Sequence, residues 1–366
     1  MRHSLDIASR LFVHVNAADV DSVLLREVGS ADTGLIVWGG GLSEVRQIRP
    51  AYGGPTGHDA GLWRSTLATP AQPLPGLGDS QELALFSTSL DQYASPIAGA
   101  GADFVLTPSG FVQAGEWATL RALLVAAACT DRQDVLTLVP TDAQMLDQVY
   151  LDRFLDELCT ADRPLGLIFA GSTQPFAQPG RICALRTLMA ALPGLAILAT
   201  EYHLAADIIA RGGSSSVGFD RALRRPIPPG SRNGNGMAKG WLPGLFLRAL
   251  WETRGPSVYA DWYASRPSSP HCVACGRDID DFEATTEDRL LIKRHNVHTL
   301  MTLIRDLRAA LDPVALLESE RLAALRRHLE LHPFSASHQT DPVLRRLVEL
   351  DDGRGRLVLP SGAWSR

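Results

Sequence analysis

Short apolar runs of about five residues recur along the first two thirds of the chain, and most are followed by a longer stretch of helical period. LFVHVN (11–16) and GLIVWGG (34–40) come first. The stretch 41–80 is rich in Gly and Pro and reads as a long irregular insertion. Then come ELALFSTS (82–89), DFVLTPS (103–109), VLTLVP (135–140), LGLIFAG (165–171), LAILAT (195–200) and SSSVGFD (214–220). Helical segments such as EWATLRALLVAAACT and EYHLAADIIARG lie between them. Continuous apolar strands are those covered on both faces, and strand–helix alternation implies parallel strands with right-handed crossovers. The pattern predicts an α/β fold: a (β/α)₈ TIM-type barrel over 1–249, favoured over an open doubly wound sheet. Neither a GxGxxG after the first strand nor a GxxxxGK[ST] occurs, so the common nucleotide-binding sheets have no support. Residues 250–366 read as a mostly helical C-terminal appendage. WLPGLFLRALWETRG and DRLLIKRHNVHTLMTLIRDLRAAL are expected to be helices, with two more near 314–332 and 339–351.

Composition narrows the picture. A chain of 366 residues with 45% hydrophobic and 20% charged residues has a large core. A formal net charge of −5 gives no general attraction for nucleic acid. The apolar runs are too short to span a membrane, and the N-terminus lacks an apolar leader core, so a cytoplasmic protein without membrane partners is expected. Five cysteines are too few for a disulfide framework. Cys129, Cys159 and Cys183 fall in helical patterns and read as small buried residues.

Cys272 and Cys275, in PHCVACGRD, differ because their C-x-x-C spacing is half of a zinc knuckle. Downstream, RHNVH supplies His295 and His298, three apart on an expected helix and able to face one way. The spacing predicts a structural zinc at Cys272, Cys275 and one of these histidines; the alternative is a turn that happens to carry two thiols, with solvated surface histidines. This arrangement, with Asn296 directly after His295 and Ile304-Arg305 further along the helix, resembles the zinc subdomain of the tRNA-guanine transglycosylases. The resemblance implies a barrel with a zinc-bearing insertion, here 270–313, and His295 as the metal histidine. The family's further cysteine falls at Pro270, so either His271 or His298 takes the fourth position or the site is weakened or empty.

A second stretch agrees. GFD (218–220) ends the last barrel strand and is followed by SRNGNG (231–236), in the family's order but with a longer loop. The resemblance implies that Asp220 is a nucleophile attacking the ribose anomeric carbon, as in a retaining glycosidase. Read on its own, an Asp starting a loop can equally pair with Arg221, Arg224 or Arg225. The family's second carboxylate falls at Pro108 in LTPSGFVQ, and Val139-Pro140 stands where a base-reading pair is expected. Ser109, Gly110, Gly171, Ser172 and Gln174 remain as candidates for holding a base, with Thr173 beside them. Arg221, Arg224, Arg225, Arg232 and Lys239 concentrate positive charge after the last strand, where phosphates could bind. Glu201-Tyr202-His203 could place an acid–base pair at the mouth, and Trp38 could front a ligand loop. The expected function is base exchange or N-glycosidic cleavage at a purine or 7-deazapurine base in tRNA, another nucleic acid or a nucleoside. The alternative is a non-catalytic barrel that binds nucleic acid or a protein partner. By resemblance alone, a homodimer is expected.

Overall fold

The computed structural model describes residues 7, 9–29, 32–39, 42–77, 89–171, 174–231, 242–264, 266, 269–279, 281–283, 285–331 and 339–353. Eight parallel strands close into a barrel in sequence order. They are β1 Leu11–Asn16, β2 Thr33–Trp38, β3 Thr56–Asp59, β4 Phe104–Leu106, β5 Val135–Asp142, β6 Leu165–Ala170, β7 Ala196–Thr200 and β8 Ser214–Gly218. β8 pairs back on β1, with Leu11 opposite Ser215 and His14 opposite Gly218. Helices α1 Ser22–Val28, α2 Leu42–Ile48, α3 Leu90–Gly99, α4 Trp117–Ala128, α5 Gln148–Leu158, α6 Arg181–Ala191 and α7 Tyr202–Ala210 follow the first seven strands.

The barrel fills from within. Phe12, Ile36, Phe104, Leu136, Ile168 and Leu198 form an inner cluster, with the Phe12 and Phe104 rings edge to face at 5.4 Å. The third strand was not expected, because it lies in the stretch read as an irregular insertion. TGHD has only four residues and no apolar run. Gly57 is needed there, since a Cβ would stand 2.3 Å from the Phe104 ring. The expected strand at 82–89 lies outside the described residues except for Ser89, which caps α3.

Only a four-residue helix, α8 Arg221–Arg224, follows β8. The outer seam is closed instead by α10 Thr286–Ala309. Its Leu300, Leu303 and Leu307 share a core with Leu24 of α1 and Ala205 and Ile209 of α7. This helix of the C-terminal region therefore packs into the barrel's own core. α11 Pro313–Leu331 carries Arg321, whose fully buried guanidinium lies 3.0 Å from Asp207 and 3.1 Å from Asp351. Asp351 ends α12 Pro342–Asp351, and Arg186 from α6 joins both acids, so the network ties barrel to appendage.

Two further expectations are corrected. WLPGLFLRALWETRG, expected to be helical, folds over its described residues as a hairpin of β9 Leu245–Leu247 and β10 Glu252–Arg254. Leu245, Phe246 and Leu247 are all buried, which a strand clamped on both faces allows and an amphipathic helix does not. Trp251 turns the chain with φ 49°. Cys129 and Cys159, read as buried, are exposed where α4 and α5 end. Among the described residues no helix is long and apolar enough to cross a membrane.

Candidate metal cluster and barrel mouth

Cys272 closes the two-residue strand β11 His271–Cys272, which pairs with β12 Arg277–Asp278 around a tight turn. That turn carries Cys275 back beside Cys272, facing α10. One helical turn presents His295 and His298 on the same face. The ligand atoms of Cys272, Cys275, His295 and His298 all lie within 4.8 Å of one another. Cys272 Sγ is 3.1 Å from His298 Nε2, and Cys275 Sγ is 3.2 Å from His295 Nδ1 and 3.6 Å from His298 Nε2. Zinc bonds of 2.0–2.3 Å give tetrahedral edges of roughly 3.3–3.8 Å. The ligand-atom separations, from 3.1 Å to within 4.8 Å, bracket those edges, so the donor set could hold a tetrahedral metal ion. The hydrogen bond with Cys275, aided by both imidazoles, holds the Cys272 thiol far below its ordinary range, while the same pairing pushes Cys275 up. Two adjacent thiolates oppose each other, and a divalent cation would remove that conflict.

The outer contacts orient the ligands. His295 Nε2 lies 3.1 Å from the Phe246 carbonyl, which leaves Nδ1 for metal. Asn296 accepts from Phe246 N at 2.6 Å and donates to the Gly244 carbonyl at 2.8 Å. The His-Asn pair thus binds the backbone of β9 as well as pointing to the cluster. His271 does not join the four. It begins β11, where strand geometry turns it away from Cys272, and its Nδ1 sits 2.8 Å from Asp278. The fourth position belongs to His298.

Asp220 comes two residues after β8, at the C-terminal mouth where barrels carry their chemistry. Its side chain is 31% exposed, and its Oδ1 lies 2.7 Å from Lys293 Nζ on α10. Lys293 also reaches Asp19 at 3.5 Å, in the short turn after β1. Burial, together with the charge of Asp220, raises the proton affinity of Asp19, while Lys293 opposes the rise. The mouth thus holds two carboxylates around one ammonium at the β8–β1 seam. The described arginines pair elsewhere: Arg224 donates to the Tyr202 hydroxyl at 2.9 Å and Arg225 to Glu201 at 2.8 Å.

A further carboxylate comes from β3. Asp59 is buried, 3.1 Å from His14 Nε2, a contact short in distance but off the hydrogen-bond direction. It also accepts from Gly61 N at 2.7 Å and Trp63 Nε1 at 3.1 Å. Burial opposes its charge, yet His14 and these donors hold it below the ordinary carboxyl range. Arg64 lies over the Trp38 ring at 4.1 Å, and burial lowers its proton affinity against the pull of Asp59 and Asp220. Asp19, Lys293, Asp59, His14 and Arg64 were all missed from sequence. The usable signal was an acid shortly after a legible strand, at Asp19, whereas Asp59 ends a strand that was itself missed.

Several candidates for base binding are placed elsewhere. Segment 66–73 lies over the end of β4, with Phe111 N donating to the Thr66 carbonyl at 2.9 Å and Gly110 N to Pro73 at 3.2 Å. Ser109 is only 2% exposed and bonds Thr107 at 2.8 Å, and a Cβ on Gly110 would lie 2.7 Å from Ala68 N. Both are therefore covered and offer nothing to a ligand, because the missed β3 brings its following segment across them. Gly171 N is taken by the Pro226 carbonyl at 3.1 Å, and Gln174 donates to Asp341 at 3.2 Å. Ser172, Thr173, Arg232 and Lys239 lie outside the described residues. His203 packs on Trp251 with ring centroids 5.8 Å apart, and burial pushes it down to about 4.

No family model matches the chain, and no curated protein matches it. Among solved structures, it is similar to N-(5′-phosphoribosyl)anthranilate isomerase from Pyrococcus furiosus, at 12% identity and a TM-score of 0.34, covering 57% of this chain and 88% of that one. It is similar also to a dihydrodipicolinate synthase family protein from Coccidioides immitis, at 12% identity and 0.35, covering 97% of each chain. Dihydrodipicolinate synthase from Oceanobacillus iheyensis gives 11% identity and 0.29, covering 94% of this chain and 97% of that one. Such likenesses say nothing about activity, and the barrel itself rests on the strand pairing.

Proposed function

We propose that the barrel mouth acts on the N-glycosidic bond of a purine or 7-deazapurine base in a nucleic acid or nucleoside, as a divergent tRNA-guanine transglycosylase. One observation carries the reading: half-buried Asp220, just beyond β8, shares Lys293 with Asp19, whose proton affinity is raised. A carboxylate beside a second carboxyl of raised proton affinity supplies the parts that nucleophilic glycosyl transfer needs.

Asp220 attacks the anomeric carbon, and the C–N bond to the base breaks. Its electron pair goes to the base nitrogen, which takes the proton from Asp19. An incoming base then gives its N–H proton back to Asp19, attacks the same carbon and releases Asp220. Lys293 orients both carboxylates. A zinc ion held by Cys272, Cys275, His295 and His298 would fix the knuckle against α10 and take no part in the reaction.

The test is exchange of labelled guanine into tRNA by wild type, Asp220→Asn and Asp19→Asn. Loss in Asp220→Asn, with a displaced pH profile in Asp19→Asn, supports the reading. Exchange that survives in Asp220→Asn, or is absent from wild type, sinks it. The second reading, a non-catalytic binding barrel, is favoured by Pro108 at the family's acid position and by the covered Ser109 and Gly110.

A further inference from the structure

Beside the mouth lies a cavity of about 530 Å³ between the ends of β7 and β8 and the appendage. Its walls include Tyr202, Arg224, Leu242, Thr253 and Ser257. The volume suits a ligand of nucleotide size. Its charges do not balance. Arg225 is neutralised by Glu201 through contacts of 2.8 and 3.1 Å. Arg254 faces Glu252 at 3.0 Å, a carboxyl that burial disposes to stay protonated. Arg224 is only 8% exposed, yet its partners are the Tyr202 hydroxyl at 2.9 Å and the Phe219 carbonyl at 3.5 Å, with no carboxylate among the described contacts. Glu201 attracts it from a distance but is already paired with Arg225, and a buried guanidinium hydrogen-bonded only to neutral groups is a costly arrangement.

Two other features point the same way. α9 Pro256–Tyr263 begins at this wall, and no side chain caps its first turn. The loops after the seventh and eighth strands of a barrel, together with the start of a short extra helix, are a recurrent place for phosphate. We propose that this cavity binds the phosphate group of a nucleotide-sized ligand, with Arg224 as its charge partner and Thr253 and Ser257 as hydroxyl donors. The inference does not depend on the reaction proposed for Asp220. The phosphate can come from a free mononucleotide or from the backbone of a polynucleotide.

The experiment is calorimetric titration of the full chain with inorganic phosphate, a nucleoside 5′-monophosphate and a single-stranded oligonucleotide. Wild type, Arg224→Met and Ser257→Glu are compared. Ser257→Glu puts a negative charge in the cavity and leaves the Arg224 contacts alone, so it decides the matter if Arg224→Met fails to fold. Saturable binding that weakens about tenfold to a hundredfold in either folded variant supports the site. Tighter binding of the monophosphate than of the oligonucleotide assigns a free nucleotide, and the reverse assigns a backbone phosphate. No saturable binding by wild type, or equal binding in the folded variants, overturns it. Asp220→Asn should bind all three probes as wild type does, so loss of base exchange and loss of this site are separate results.

Discussion

Replacing His298 with Ala should weaken metal binding far more than replacing His271. The two histidines are equivalent candidates in the sequence, but they are separated in the fold. His298 Nε2 lies 3.1 Å from Cys272 Sγ, whereas His271 contacts Asp278 at 2.8 Å. Structural zinc sites bind with about 10–16 kcal/mol at neutral pH, so one ligand of four is worth about 3 kcal/mol. That corresponds to roughly a hundredfold loss of affinity, less whatever a replacing water returns. The assay is competition against a chromophoric chelator of known zinc affinity, with elemental analysis of each purified variant. His271→Ala should match wild type, and Cys272→Ala and His295→Ala should fall with His298→Ala. If His271→Ala loses the metal while His298→Ala keeps it, His298 is not the fourth ligand. If carefully prepared wild type holds no metal, the cluster is not a metal site.

Arg321→Met removes one partner from the buried Arg321–Asp207–Asp351 network, while Arg186 still faces both acids. The cost should fall near the low end for a broken buried pair, about 3 kcal/mol, or a Tm lower by about 4 °C for a chain of this length. A change under about 1 °C in thermal unfolding would contradict the burial assigned to it. Burial, with Asp341 adding, pushes Glu252 up to about 8 from its ordinary 4.5. The folded state then holds a proton that the unfolded chain has released, so wild-type stability should fall as pH rises from about 4.5 to 8. Glu252→Gln should abolish that component, gaining on wild type between pH 5 and 8.5 by an amount on the order of 4 kcal/mol. Parallel Tm profiles for the two proteins would rule it out.

The barrel was legible where its strands were covered on both faces. β1, β2 and β4 to β7 read as apolar runs, since hydrophobic packing needs them to, while β8, three serines before Val217 and Gly218, was read as the last strand of the alternation. β3 was hidden because its inward positions are Gly57, pressed against Phe104, and Asp59, a polar group at the mouth. Neither leaves a hydrophobic trace, and missing the strand also hid the segment that covers Ser109 and Gly110. The hairpin at β9 and β10 was misread for a related reason: a short apolar run with both faces buried has no period that tells helix from strand. In the metal cluster, Cys272, Cys275 and His295 were readable from spacing. The choice between His271 and His298 required the direction of α10 relative to a two-residue strand. The Asp19–Lys293–Asp220 group had no such signal, since its members come from three separate parts of the chain.

α10 explains why those parts belong together. Its lower turns close the outer seam of the barrel through Leu300, Leu303 and Leu307. One turn above, His295 and His298 face the knuckle, and Asn296 holds the backbone of β9. Two residues before His295, Lys293 reaches Asp19 and Asp220, and Arg294 meets Asp21 at 2.6 Å. A helix fixed at so many points cannot rotate by one residue, about 100°, without breaking all of these contacts. The knuckle therefore acts at a distance from the mouth by fixing the register of the helix that delivers its ammonium. This also gives the His-Asn pair a physical meaning. The histidine sets the end at the Cys–His cluster, the asparagine ties the helix to β9, and together they fix where the lysine before them points.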